Sequence, residues 1–190
     1  MPKPVIFLDM DGTLIRSIPY NVEPYRMSLT PGASQAIGLL AERGFTFIVV
    51  SNQSGVAFGR FAEEALTGVT QKLELLVGLC GGKLEGVYYC PHHSGGIVPE
   101  YSFECSCRKP KPGMILQAIK DHDVDVSSSW MIGDTLDDVE AGNRTGLRSI
   151  LVDEQHEGMW QKSPFRDPEI IVKDLIEAAE QICCLPILKG

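Results

Sequence analysis

Short, mostly apolar runs alternate along this chain with longer stretches whose apolar residues recur at helical spacing. Val5-Ile6-Phe7-Leu8, Phe45–Val50, Gly86–Tyr89, Ser129–Ile132 and Arg148–Val152 are the runs. Runs of this length and uniformity read as strands buried on both faces. Between them, Ala33, Ala36, Ile37, Leu40 and Ala41 lie on one helical face, as do Ala65, Leu66, Val69, Leu73, Leu76 and Val77. Thr30 is the expected N-cap of the first helix with Pro31 at its first position, and Gly44 stops it. Further helices are expected over 112–122, up to Gly146, and from Asp167 to Cys184, where Asp167 caps and Pro168 opens the helix. Strand, helix, strand at this spacing is a right-handed crossover, so the pattern predicts an α/β fold with a central, mostly parallel sheet.

Several strands run straight into polar groups. The first ends in Asp9-Met10-Asp11-Gly12, the second in Ser51-Asn52-Gln53-Ser54-Gly55, and the fourth in Asp134-Thr135-Leu136-Asp137-Asp138. Each has a plain reading: an Asp-Gly turn, a polar strand cap, a helix start decorated with acids. Together they say more. In open α/β sheets ligands bind at the carboxyl ends of strands. Asp9, Asp11 and Asp134 are therefore expected at one edge, where like charges about 4 Å apart repel by roughly 4 kcal/mol at an effective dielectric of 20. A hard divalent cation such as Mg²⁺ relieves that conflict. Ser51 and Asn52 are candidates for holding phosphate oxygens, and the proline-bearing loop 15–29 for contacting the rest of a substrate.

Cys90-Pro91-His92 and Cys105-Ser106-Cys107 supply three thiolates and an imidazole in two x-spaced pairs, which suits a closed tetrahedral zinc site of structural type. His93 competes with His92 as the ligand. A disulfide between the pairs would need an oxidising compartment. Cys80, Cys183 and Cys184 read as small packing residues. Directly after Cys107 come Arg108, Lys109 and Lys111, a local positive charge in a chain whose net charge is −8 and whose pI is near 5.0. That acidity argues against a nucleic-acid backbone as partner and requires any phosphate site to be locally basic. No apolar run is long enough to span a membrane. A strand beginning within four residues of Met1 leaves no room for a signal peptide, so a cytoplasmic, reducing setting is expected. The 190 residues suit one domain, and a monomer is expected.

Asp9-x-Asp11-Gly12-Thr13, Ser51, Lys109 and Asp134, in that order, resemble the four motifs of the haloacid dehalogenase-like (HAD) phosphohydrolases over residues 5 to 152. The resemblance implies a Rossmannoid three-layer sandwich with a small zinc-binding loop at 90–107. It also implies Mg²⁺-dependent hydrolysis of a phosphomonoester through an aspartyl-phosphate. Asp9 would be the nucleophile and Asp11 the general acid and base. Ser51 and Lys109 would hold the phosphoryl group, and Asp134 with the Asp11 main-chain carbonyl would complete the Mg²⁺ shell. Asp138 is a candidate supporting acid, and Arg108 a candidate for specificity. Asn52-Gln53-Ser54-Gly55, Cys90-Pro91-His92-His93 and Cys107-Arg108-Lys109-Pro110 are similar to the zinc-loop families acting on heptose 1,7-bisphosphate and, as close kin, on histidinol phosphate. A small phosphorylated metabolite, foremost a sugar bisphosphate, is thus the expected substrate. Met10 departs from the Arg usual there in heptose-type members. A receiver-like signalling domain also phosphorylates an Asp at a strand tip, but it needs neither Asp11 as acid nor the thiol loop.

Overall fold

A computed structural model describes residues 2–153 and 164–185. Its strands are β1 (Val5–Leu8), β2 (Thr46–Asn52), β3 (Leu84–Cys90), β4 (Trp130–Gly133), β5 (Arg148–Val152) and β6 (Ile170–Val172). Its helices are α1 (Ala33–Glu42), α2 (Leu66–Leu79), α3 (Gly113–His122), α4 (Leu136–Asn143) and α5 (Leu175–Cys184). The strands form one sheet in the order β3-β2-β1-β4-β5-β6, and every neighbouring pair is parallel.

The uniform apolar runs are explained by this topology. Successive side chains point to opposite faces, so a strand covered on both sides is apolar at most positions rather than alternating. Ile6 and Leu8 join Phe47 and Val49 in one core with Ile37, Leu73 and Ile182 from α1, α2 and α5. Val5 and Phe7 join Ile48 and Val50 in the other, with Ile115 and Ala118 of α3. Helix, sheet, helix is the expected three-layer order. Met10 is buried in the first core, on the α1 side.

Each connection from a helix back to the next of β2, β3, β4 and β5 contains one left-handed residue: Gly44 (φ 85°), Gly81 (82°), Asp123 (50°) and Gly146 (82°). Left-handed backbone after a helix ends it and reverses the chain, and glycine takes it without strain.

Three expectations are corrected. Thr30 does not cap α1. Its hydroxyl donates to the Thr13 carbonyl at 2.7 Å, and the helix starts behind Gly32 at φ 78°. The segment from Asp167 to Cys184 is not a single helix. Ile170–Val172 adds a sixth strand to β5, and Asp174, not Asp167, caps α5 by accepting from the Glu177 N–H at 2.9 Å. Consecutive β-branched residues favour the strand. Cys184 is exposed rather than packed, while Cys80 and Cys183 are half-buried.

Candidate active site

The carboxyl edge of the sheet gathers the polar strand endings. Asp9 leaves the tip of β1 and is buried. Gly12 turns the chain behind it at φ 93°, where an added Cβ would sit 2.2 Å from Asp134 Oδ2. Only glycine lets β1 and β4 bring their acids this close. Lys109, also buried, enters from the far side. Its ammonium lies 2.5 Å from Asp9 Oδ1 and 2.6 Å from Asp138 Oδ1, and donates to the Val50 carbonyl at 2.7 Å.

The oxygens of Asp9, Asp134 and Asp138 lie within 4.8 Å of one another. Three carboxylates facing one ammonium leave a deficit of two positive charges in a dry site. The acids respond accordingly. Burial pushes Asp9 up to about 8 against the pull of Lys109, with Asp138 and Asp134 adding to the rise. Burial, then Asp138, pushes Asp134 up to about 6. Burial alone would lower the pKa of Lys109, but Asp138 and Asp9 more than offset it and hold it above the usual lysine value. A hard divalent ion with oxygen ligands fits this deficit in charge and in donor chemistry.

Asp138 does more than support. Its Oδ2 accepts from the Thr135 N–H and hydroxyl at 3.0 and 2.6 Å, forming the N-terminal box of α4 while Oδ1 faces Lys109. Asp137 points elsewhere, to Arg166 Nη2 at 2.6 Å. Asp11 lies outside the group of three carboxylates. Its Oδ2 accepts from Gln53 Nε2 at 3.1 Å, and burial raises its pKa against that bond and against Lys109.

Ser51 is buried at the end of β2, and its Oγ accepts from Gln53 Nε2 at 2.8 Å. Asn52, expected to hold phosphate, instead spends its side chain on Lys109. Its Oδ1 accepts from the Lys109 N–H at 3.0 Å and its Nδ2 donates to the Lys109 carbonyl at 3.1 Å. The lysine needs this hold because its segment is a loop with no strand partner. Neither amide role is readable from sequence, where Asn52 is a candidate phosphate contact and Gln53 part of a polar strand ending.

Four sulfur and nitrogen atoms cluster beside this edge. Cys90, Cys105 and Cys107 Sγ are 3.1 to 3.5 Å apart, and His92 Nδ1 lies 3.6 Å from Cys90 Sγ and 3.4 Å from Cys107 Sγ. A tetrahedral zinc with sulfur at about 2.3 Å and nitrogen near 2.1 Å has edges only slightly longer. All three cysteines are free thiols. His93 stands aside, its Nδ1 accepting from the Gly95 N–H. Arg108 places its N–H 3.4 Å from Cys105 Sγ and its guanidinium 3.4 Å from the His92 carbonyl. The cluster thereby fixes the chain next to Lys109.

Three hollows open on this edge. One of about 180 Å³ is lined by Asp11, Ser17, Tyr20 and Gln53, and one of about 200 Å³ by Arg108, Lys111, Phe103 and Asp137. The third, about 550 Å³, is lined by Asp134, Thr13, Arg16 and Lys173. Another 180 Å³ cavity, between Trp130 and Ile182, lies at the opposite edge, away from the acids.

An acid pair at the tip of the central strand, a lysine shared between acids, and a third acid on the next strand stand together at one sheet edge, the arrangement that the HAD resemblance implies. The HAD-hydrolase-like family matches residues 106–178. A D-glycero-beta-D-manno-heptose-1,7-bisphosphate 7-phosphatase from Pasteurella multocida is 39% identical over 150 residues, 79% of this chain and 81% of that protein. A D-glycero-D-manno-heptose-1,7-bisphosphate 7-phosphatase from Thermosynechococcus vestitus is 36% identical over 96% of this chain and 97% of its own. Among solved structures, the D,D-heptose 1,7-bisphosphate phosphatase of B. bronchiseptica, complexed with magnesium and phosphate, superposes with a TM-score of 0.75. It shares 28% identity over 95% of this chain and 98% of that one. The chain belongs to this family of HAD-like phosphatases. No helix among the described residues is long and apolar enough to cross a membrane.

Proposed function

We propose that this chain removes the 7-phosphate of D-glycero-D-manno-heptose 1,7-bisphosphate, with Asp9 as nucleophile and Asp11 as general acid and base. The observation that carries the reading is the placement of Lys109 between Asp9 and Asp138, while Asp11 faces Gln53 instead. It gives the two acids of β1 separate roles. Asp9, beside Lys109 and within the group of acids that would hold Mg²⁺, is the one a bound cation would keep charged as nucleophile, and Asp11, outside that group with a raised pKa, is suited to carrying a proton. The names and coverage of the relatives support the heptose ester over histidinol phosphate.

Attack by a carboxylate oxygen of Asp9 on phosphorus breaks the bond to the sugar oxygen, which leaves with the proton of Asp11. Asp11 then takes a proton from water, which attacks phosphorus and frees Asp9 as inorganic phosphate departs. Through both steps Ser51 and Lys109 hold the phosphoryl oxygens. Asp9, Asp134 and the main-chain carbonyl of Asp11 would hold Mg²⁺, which supplies charge neutralisation and polarises the phosphoryl group. Zinc on Cys90, His92, Cys105 and Cys107 would be structural, since four protein ligands leave no open position. All six strands among the described residues lie in one sheet, which supports the reading of the chain as a single domain.

Phosphate release with Mg²⁺ tests this on both anomers of heptose 1,7-bisphosphate, histidinol phosphate and an aryl phosphate. A heptose bisphosphate preferred by orders of magnitude is expected. Preference for histidinol phosphate would overturn the substrate, and no turnover on any ester would overturn the function.

A further inference from the structure

We infer that Gln53 is a positioning residue that orients, with one amide group, the carboxyl of Asp11 and the hydroxyl of Ser51. The inference rests on the phosphatase reading above and deepens it.

Gln53 is a buried polar side chain, 8% exposed, at the base of the hollow beside Asp11. An amide nitrogen carries two hydrogens. Here both are committed: Nε2 lies 3.1 Å from Asp11 Oδ2 and 2.8 Å from Ser51 Oγ. Whether Asp11 is ionised or carries its proton on Oδ1, its Oδ2 only accepts, so it faces the amide nitrogen rather than the amide oxygen. The backbone of Gln53 is equally fixed, since its N–H donates to the Cys90 carbonyl at 2.8 Å, on a residue of the thiol cluster.

Two consequences follow from where the hydrogens go. A bond into Oδ2 of Asp11 disfavours protonation of that oxygen and leaves Oδ1 to carry the proton to the departing sugar oxygen. A bond into Ser51 Oγ occupies the hydroxyl as acceptor, so its own hydrogen is directed outward, toward a phosphoryl oxygen. One group therefore orients the proton donor and the phosphate anchor relative to each other. With Nε2 committed to Asp11 and Ser51, Gln53 has no donor left to bind substrate with.

The proton balance gives a sharp test. In the first step the P–O bond breaks and its electron pair goes to the leaving oxygen, which takes the Asp11 proton. An aryl oxygen departs without that proton, whereas a sugar alkoxide does not. kcat/KM reports the steps up to this departure. For Gln53→Met, kcat/KM on the heptose bisphosphate, or another alkyl phosphate that the unaltered chain cleaves, is expected to fall by about tenfold or more. On p-nitrophenyl phosphate it should fall less than about threefold, with a burst of nitrophenol before slow turnover, because water activation by Asp11 is also impaired. Gln53→Glu, which keeps the size but cannot donate, is expected to show the same split if the Met variant fails to fold. Asp11→Asn serves as the reference for a lost acid. Equal losses on both esters in the Gln53 variants, while Asp11→Asn shows the split, would overturn this role and leave the phosphatase standing. No turnover of either ester by the unaltered chain would overturn both.

Discussion

The side chain of Asn52 grips the backbone of Lys109 by both its polar groups, at 3.0 and 3.1 Å, across 57 residues of sequence. The ammonium of that lysine bridges two buried acids, so its reach is set by where its backbone is held. Asn52→Ala removes two hydrogen bonds, each worth about 0.5–1.5 kcal/mol net. Urea denaturation should report a loss of about 1–3 kcal/mol. Kinetics should show kcat lowered about 10- to 100-fold from misplacement of Lys109. Unchanged kcat in a folded Asn52→Ala variant would show that Lys109 finds its place unaided.

Gly12→Ala should separate folding from metal binding. A methyl group there meets Asp134 Oδ2 at 2.2 Å, on a backbone at φ 93° that side chains rarely adopt. The strain amounts to about 1–2 kcal/mol. Moving Asp134 should raise the Mg²⁺ concentration for half-maximal activity by about tenfold or more. A variant with normal Mg²⁺ dependence would mean that Asp134 is not a ligand.

The charge deficit around Lys109 predicts a pH signature. Asp9 and Asp134 hold protons more tightly folded, near 8 and 6, than at their ordinary 3.8. Without a cation the folded chain binds more protons than the unfolded one in that range, so stability falls as pH rises. From pH 5.5 to 8, the melting temperature of zinc-loaded, Mg²⁺-free protein should drop, and the increment given by saturating Mg²⁺ should grow. An increment that does not change with pH would contradict the burden of negative charge inferred here.

For the thiol cluster, Cys107→Ser should lose stoichiometric zinc by elemental analysis. Its melting temperature should fall, at about 2–4 °C per kcal/mol for a chain of this size. Activity should fall too, although no cluster atom touches substrate, because Arg108 and Lys109 lose their anchor. Full activity in a zinc-free variant would make the cluster dispensable for the site.

The residues that carry charge or metal affinity were legible because their signals are local. An acid directly after a buried run, or thiols one residue apart, stands out against its neighbours. What stayed hidden depends on partners far along the chain. Asn52 reads as a phosphate contact and Gln53 as part of a polar ending until Lys109 and Asp11, 57 and 42 residues away, are placed against them. Asp138 looked like one more acid at a helix start, which it is, and only the fold adds Lys109 to its other oxygen. Ile170–Val172 escaped because Ile171, Leu175, Ile176 and Ile182 also fit a helical stripe, and pairing with β5 decides otherwise. Thr30 has the chemistry of a cap, but the Thr13 carbonyl claims its hydroxyl.

The left-handed turns at Gly44, Gly81, Asp123 and Gly146 all lie at the sheet edge opposite the acids, and none of those connections carries a site residue. The two edges therefore divide the labour of the chain. One edge tolerates rebuilding: new termini, an inserted tag or a tethering peptide placed beside Gly81 or Gly146 should leave turnover intact, provided the turn still reverses the chain. At the other edge a single methyl group added at Gly12 has nowhere to go. An engineer wishing to immobilise this enzyme or splice it to another has four places to cut, and the backbone already marks them.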